Sequence, residues 1–250
     1  MKSEYRDLFD ARGAHYNLAN RQFPEARAEE AHALLAHLSL SSGATWLDLG
    51  AGGGFLAERA ALEGHAGPAV GCDESMAFLA GASAYALRTI ASFRRLPYPD
   101  GAFAAAASLA AMHHAEEPGC VLSEMLRVTS RGGRVAVGDV AAGSSAARFL
   151  NGFLDRHTTS GHAGRFYEAE AWAGMLTRAG GSQVRAETVE LHWRFSGTGD
   201  ARAFARELFG LVPETTDAEL DSALAELELC GDEGGWRLPW KMVFASAERV

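Results

Sequence analysis

The run Asp48-Leu49-Gly50-Ala51-Gly52-Gly53-Gly54 places an acid ahead of glycines at alternate positions. Glycines strip side chains from a turn and let backbone approach a bound molecule closely. Two phosphate-binding turns are excluded here. Counted from Gly50, the dinucleotide pattern G-x-G-x-x-G meets Phe55 where its third glycine belongs, and the Gly-Lys-Ser/Thr ending of a P-loop is missing. What remains is the pattern Asp48-x-Gly50-x-Gly52-x-Gly54. Asp73 follows Asp48 by 25 residues and offers a carboxylate that could accept from two ribose hydroxyls. His113 and His114 are adjacent imidazoles, and His162 is a third. Imidazole exchanges protons near neutral pH, so one of the pair, His114 first, could position or deprotonate a second molecule. The competing reading is that both merely close a loop through hydrogen bonds.

These residues need a scaffold, and the chain spells one out. Residues 24–38 have helical spacing, with Pro24 in the first turn and Ala31, Leu34, Leu35 and Leu38 on one face. Strand character over 45–49, the glycine turn, and helical spacing over 55–62 open a βαβ unit. A strand over 69–73 ends in Asp73, and Ser75 caps a helix over 76–82. Further strands are expected over 87–92, 103–109 and 134–139, with a helix opened by Pro118. Strands alternating with helices predict a doubly wound, mostly parallel α/β sheet of seven strands, with ligands at the carboxyl ends of the strands. Beyond residue 140 helices are expected over 149–157 and 168–179, and long strands over 183–194 and 241–247. Two further helices, 200–209 and 217–229, lie between those strands, in a segment long enough to be a lid or binding insertion. Trp193, Trp236, Trp240, Phe204 and Phe209 would form its core or, in part, an apolar pocket. One domain is expected, divided into an N-terminal helical cover (1–40), a binding core (41–190), a helical insertion (191–238) and a last strand (239–250).

The acid-and-glycine turn resembles the first motif of the class I, Rossmann-like, S-adenosylmethionine-dependent methyltransferases. The stretch Arg95-Leu96-Pro97-Tyr98-Pro99-Asp100-Gly101-Ala102-Phe103 looks like one common in the small-molecule methyltransferases of ubiquinone and menaquinone biosynthesis. His113-His114 matches that group's histidine pair. Glu124-Met125-Leu126-Arg127-Val128 with Gly132-Gly133, and His162-Ala163-Gly164-Arg165-Phe166-Tyr167, match its later segments. The likeness spans residues 15–190. It departs at Ser92, where an acid would reach the adenine amino group, at Ala104, and at Arg131, where a proline usually precedes the glycine pair.

The resemblance implies S-adenosylmethionine as cofactor and S-adenosylhomocysteine as product. It places Tyr16, Asp48, Gly50, Ala51, Gly52, Gly54, Asp73, Glu74, Met76, Ser92, Phe93 and Leu109 around the cofactor. Asp48 would support the ammonium end, Asp73 the ribose, and Met76, Ser92 and Phe93 the adenine. His113, His114, His162 and Tyr167 would face the acceptor, with His114 or His113 as the base if one is needed. The reaction implied is transfer of the methyl group to an O, N or C atom of a small molecule, a secondary metabolite or a quinone-like compound. A non-catalytic or re-used S-adenosylmethionine binder is the alternative, and an NAD(P)-dependent oxidoreductase a weaker one.

Composition removes other classes. The net charge is −9 with no cluster of Lys or Arg, which argues against nucleic acid. Three scattered cysteines, Cys72, Cys120 and Cys230, form no disulfide framework or metal spacing and read as small buried residues. Asp139 lacks the neighbouring Asp-Asn pair of catechol-type metal enzymes, so no metal is expected. No apolar leader and no run of 18 apolar residues is present, which predicts a cytoplasmic, membrane-free monomer or homodimer. The richness in Ala and Arg suggests a bacterial source.

Overall fold

The chain folds around one twisted sheet in the order β3-β2-β1-β4-β5-β8-β6, with β7 paired to β8. The structure is a computed structural model describing residues 13–250 apart from Ala66 and Ser83. The first twelve residues of the expected N-terminal cover lie outside that range. Helix α1 occupies residues 13–22 and α2 Ala28–Leu38. The core then alternates: β1 Trp46–Leu49, α3 Phe55–Leu62, β2 Ala69–Asp73, α4 Met76–Leu79, β3 Leu87–Ile90, β4 Phe103–Leu109, α5 Pro118–Val128 and β5 Thr129–Val140. A helical stretch follows as α6 Ser145–Phe149, a π-helical turn Leu150–Leu154, and α7 Asp155–His157. Next come α8 Ala169–Arg178, β6 Gly181–Phe195, α9 Thr198–Phe209, α10 Asp217–Glu226, β7 Cys230–Asp232 and β8 Gly235–Arg249.

Strands β1 to β5 are mutually parallel, and β8 runs antiparallel to both β5 and β6. Parallel strands are covered on both faces, which is why every residue of β1 and β2 is buried. Within β1, Trp46 joins the buried cluster on the α2 face while Leu47 and Leu49 join the cluster with Met125 and Trp172 on the other. Strand β4 is built from alanines, poor strand formers, yet burial between β1 and β5 overrides that propensity. The strand order reverses between β1 and β4, and a crevice opens at their carboxyl ends.

Three boundaries differ from the sequence reading. Pro24 lies in a turn before α2 rather than in its first turn: Ala26 N–H donates to Phe23 and Ala28 N–H to Glu25, tighter bonds than an α-helix makes. The sheet has an eighth strand, the three-residue β7. Strand β8 begins at Gly235 rather than 241, because Trp236 to Trp240 pair with Phe195 to Leu191 beyond the last β5 pair, Val140 with Met242, while β6 ends at Phe195, next to its expected end at 194. The connection read as 191–238 shortens to residues 196–234. The extra ladder forms an arm past the carboxyl end of β5, which carries Trp193 and Trp240 toward the crevice.

The loop over residues 95–102 has a structural task. Arg127 on α5 donates to the carbonyls of Leu96 (3.1 Å) and Tyr98 (2.8 Å) and to Asp100 (2.9 Å), while Glu124 accepts from Leu96 N–H (2.8 Å). The loop before β4 is thereby stapled to α5. Of the cysteines, Cys72 is buried as expected, but Cys120 and Cys230 are exposed, since they fall on a helix surface and on the short hairpin strand.

Candidate active site

The glycine turn leaves β1 with Gly50, Gly52 and Gly54 all at positive φ (75°, 51° and 98°). Residues with a Cβ avoid that region, so the run of glycines is a backbone requirement. The N–H groups of Gly50 and Ala51 both donate to the Cys72 carbonyl (2.9 and 3.2 Å), which ties the turn to β2. A Cβ on Gly50 would strike Ala111, whereas one on Gly54 would meet Ala82 and Tyr85 only at ordinary contact distance. On Gly52 it would enter the space under Tyr16 (3.3 Å) and Phe78 (3.4 Å). Gly52 thus keeps the cleft open, while Gly54 serves the backbone turn through its positive φ.

Asp73, at the end of β2, is 8% exposed and accepts from Gly52 N–H (3.0 Å) and Ser75 N–H (2.9 Å). Burial pushes its carboxyl up, and those backbone donors pull against it. Asp48 sits deeper and does not line the cleft. It accepts a 2.6 Å bond from the Tyr85 hydroxyl, and burial raises its pKa to about 7, against the pull of Tyr85 and with a smaller push from Asp73. Any support it gives a ligand passes through the turn.

The cleft is lined by Tyr16, Gly50, Gly52, Asp73, Phe93 and Leu109. His113, His114 and His162 line it as well, as do Trp193, Phe209 and Trp240. Glu74 instead accepts from Phe93 N–H (3.1 Å) and so holds that ring in place. Ser92 is exposed, and Met76 is 60% exposed at the rim. Tyr167 is not brought to the cleft. Its ring packs edge-on against Trp172, and its carbonyl accepts from Ala142 N–H, because residue 167 bridges the chain just after β5.

Sequence reasoning missed two buried charges. Arg27 lies against the cleft, bonded to Glu30 (2.6 and 2.9 Å) and to the Tyr16 hydroxyl (2.8 Å). Burial works against its charge; Glu30 and Tyr16 outweigh that and hold the guanidinium charged. Glu30 also accepts from the Trp193 indole N–H, so one ion pair anchors both walls of the cleft. Asp139, 1% exposed at the end of β5, accepts from His113 Nδ1 (2.7 Å), His113 N–H (2.8 Å) and Val140 N–H (2.8 Å). The one signal for Asp139 was its place at a strand's carboxyl end. Each of the three histidines can place a ring nitrogen so that the three lie within 4.8 Å of one another, a grouping able to hold a metal ion.

Residues 47–137 match the family model described as a methyltransferase domain. That segment holds the glycine turn, Asp73 and the histidine pair. The chain has the class I methyltransferase fold. A methyltransferase-like protein of Bacillus halodurans superposes with a TM-score of 0.62 at 18% identity, over 88% of this chain and 99% of that one. Phosphoethanolamine N-methyltransferase 2 of Haemonchus contortus, solved with S-adenosyl-L-methionine, gives 0.66 at 15% identity, over 98% of this chain and 60% of its own. SpnF, a cyclase of the 4+2 type, shares the methyltransferase fold too, at 0.58 and 22% identity over 89% and 82%. No curated protein sequence matches the chain. No helix among the described residues is long and apolar enough to cross a membrane.

Proposed function

We propose that the cleft binds S-adenosylmethionine and passes its methyl group to a small molecule with an apolar body. The observation that carries this reading is the meeting of Gly52 and Asp73 at the switch point of the sheet, in a cleft also lined by histidine and tryptophan. The glycine turn gives backbone contact to the amino acid portion, and the α3 N-terminus favours its carboxylate. Asp73 suits the ribose hydroxyls, and Phe93 and Leu109 flank the adenine side. Tyr16, held by Arg27, covers the site.

When bound, the cofactor supplies a methyl group already activated by its sulfonium. The chain's own work is then to align the acceptor and keep water out. Trp193, Trp240 and Phe209 supply apolar surface for that acceptor. In the metal-free chain, His113, oriented by Asp139, and His114 are the cleft groups able to take an acceptor proton.

Calorimetric titration with S-adenosylmethionine and S-adenosylhomocysteine tests the binding step, and methyl incorporation from labelled cofactor into candidate aromatic acceptors tests the transfer. Micromolar binding of both is expected; binding of neither would overturn the reading. A second reading, cofactor binding without methyl transfer, draws on the exposure of Ser92, which leaves no acid at the adenine edge. Binding with no methylated product across apolar acceptors would favour it.

A further inference from the structure

We propose that His113, His114 and His162 form a binding site for a divalent transition-metal ion, zinc or a close relative, at the acceptor end of the cleft. The three residues come from two separate places in the chain. His113 and His114 lie on the short 3-10 turn after β4, and His162 on the loop between α7 and α8. The fold brings their rings together, with centroids 4.0 Å apart for His113 and His114, 5.4 Å for His113 and His162, and 5.2 Å for His114 and His162.

Two of the rings have their tautomers fixed from behind. The Asp139 carboxylate accepts at His113 Nδ1 over 2.7 Å, which puts the proton on Nδ1 and the lone pair on Nε2. Asn151 does the same for His162. Its side chain both donates to the Gly164 carbonyl (2.8 Å) and accepts from Gly164 N–H (2.9 Å), which settles which end of the amide is oxygen. That oxygen faces His162 Nδ1 at 3.0 Å, so His162 also carries its lone pair on Nε2. A carboxylate or carbonyl behind each ligating imidazole is the usual second layer of a metal centre. A loop merely closed by histidines has no need of it.

The donor set selects the ion. Three neutral imidazoles with no carboxylate among them suit zinc, cobalt or nickel and disfavour magnesium and calcium, which demand oxygen. The nitrogens span up to 4.8 Å, whereas a tetrahedral ion with bonds of about 2.05 Å would set them roughly 3.4 Å apart. His114, the least buried of the three, is the ring that would turn inward. Three protein ligands leave at least one position open, and the cleft is where it would point. Resting on the methyltransferase reading, this names the acceptor more closely: an apolar or aromatic body bearing an anionic or chelating oxygen, the body against Trp193 and Trp240 and the oxygen at the ion.

The test uses the full chain, stripped with a chelator and free of any affinity tag. Calorimetry with zinc and with magnesium, and visible absorption with cobalt, read the site directly. One equivalent of zinc, cobalt bands typical of nitrogen ligands, and at least about tenfold weaker binding in His114→Ala and in Asp139→Asn are expected. His114 is partly exposed, so its variant should keep the wild-type circular dichroism. No zinc uptake, uptake unchanged by His114→Ala, or preference for magnesium would overturn the site. S-adenosylmethionine titrated into the metal-free protein reports separately on the cofactor: binding there with no metal uptake sinks this proposal alone, and metal uptake without cofactor binding upholds it.

Discussion

The Tyr85 hydroxyl and the Asp48 carboxylate meet at 2.6 Å directly beneath the glycine turn. Both groups are buried, and burial lifts the Asp48 pKa from 3.8 to about 7. The folded chain therefore holds this proton more tightly than the unfolded one. Its contribution to stability is intact below about pH 4 and is lost as the pH rises through about 7. Asp48→Asn keeps an acceptor for Tyr85 and has no proton to lose. In urea unfolding near pH 8 that variant should exceed the wild type by up to about 4 kcal/mol, with the gap closing near pH 4. An equal gap at both pH values would show that Asp48 is ionised throughout.

Gly52→Val should abolish S-adenosylmethionine binding, because its side chain would fill the space under Tyr16 and Phe78. The positive φ adds a stability cost of about 1 kcal/mol or more. Thermal unfolding should show a folded protein, and calorimetry no heat of cofactor binding. Normal affinity would remove the turn from the site.

Asp73 holds two backbone donors even without a ligand, so its loss should be felt twice. Asp73→Ala should destabilise the apo chain by about 1–3 kcal/mol, since the N–H groups of Gly52 and Ser75 lose their acceptor. Cofactor affinity should fall by a similar amount again once the loss of folded protein is allowed for. An unchanged Kd would confine Asp73 to structure.

Arg127 should behave in the opposite way. Arg127→Leu removes the bonds to Leu96, Tyr98 and Asp100 and should cost about 1–2 kcal/mol in denaturant unfolding. Its distance from the cleft lining predicts an unchanged cofactor Kd. A large loss of binding would mean that the stapled loop also shapes the adenine side through Phe93.

The glycine turn, Asp73 and the histidine pair were legible in the sequence because each is local: a strand, a turn and a helix written within a few residues. What escaped was long-range. Arg27 reads as an ordinary helix-surface residue until α1 brings Tyr16, and β6 brings Trp193, to its side. Asp139 has no neighbouring acid to mark it, and its meaning depends on a histidine 26 residues away. Tyr167 misled for the converse reason. It stands close in sequence to His162, yet its ring turns to Trp172. The start of β8 was missed because it depends on pairing with the far end of β6, which no local pattern displays.

The π-helical turn Leu150–Leu154 carries its own consequence. A π-turn closes from residue i to i+5 and so holds one residue more than an α-helical turn. Asn151, which grips Gly164 and His162, sits inside it. Deleting one residue from this turn would restore a plain helix and rotate everything on one side of the deletion by about 100°. Such a shortened chain would keep its sheet and its cofactor crevice while parting Asn151 from His162. The support behind His162 therefore hangs on a single extra residue in this helix, which the glycine turn and Asp73 do not share.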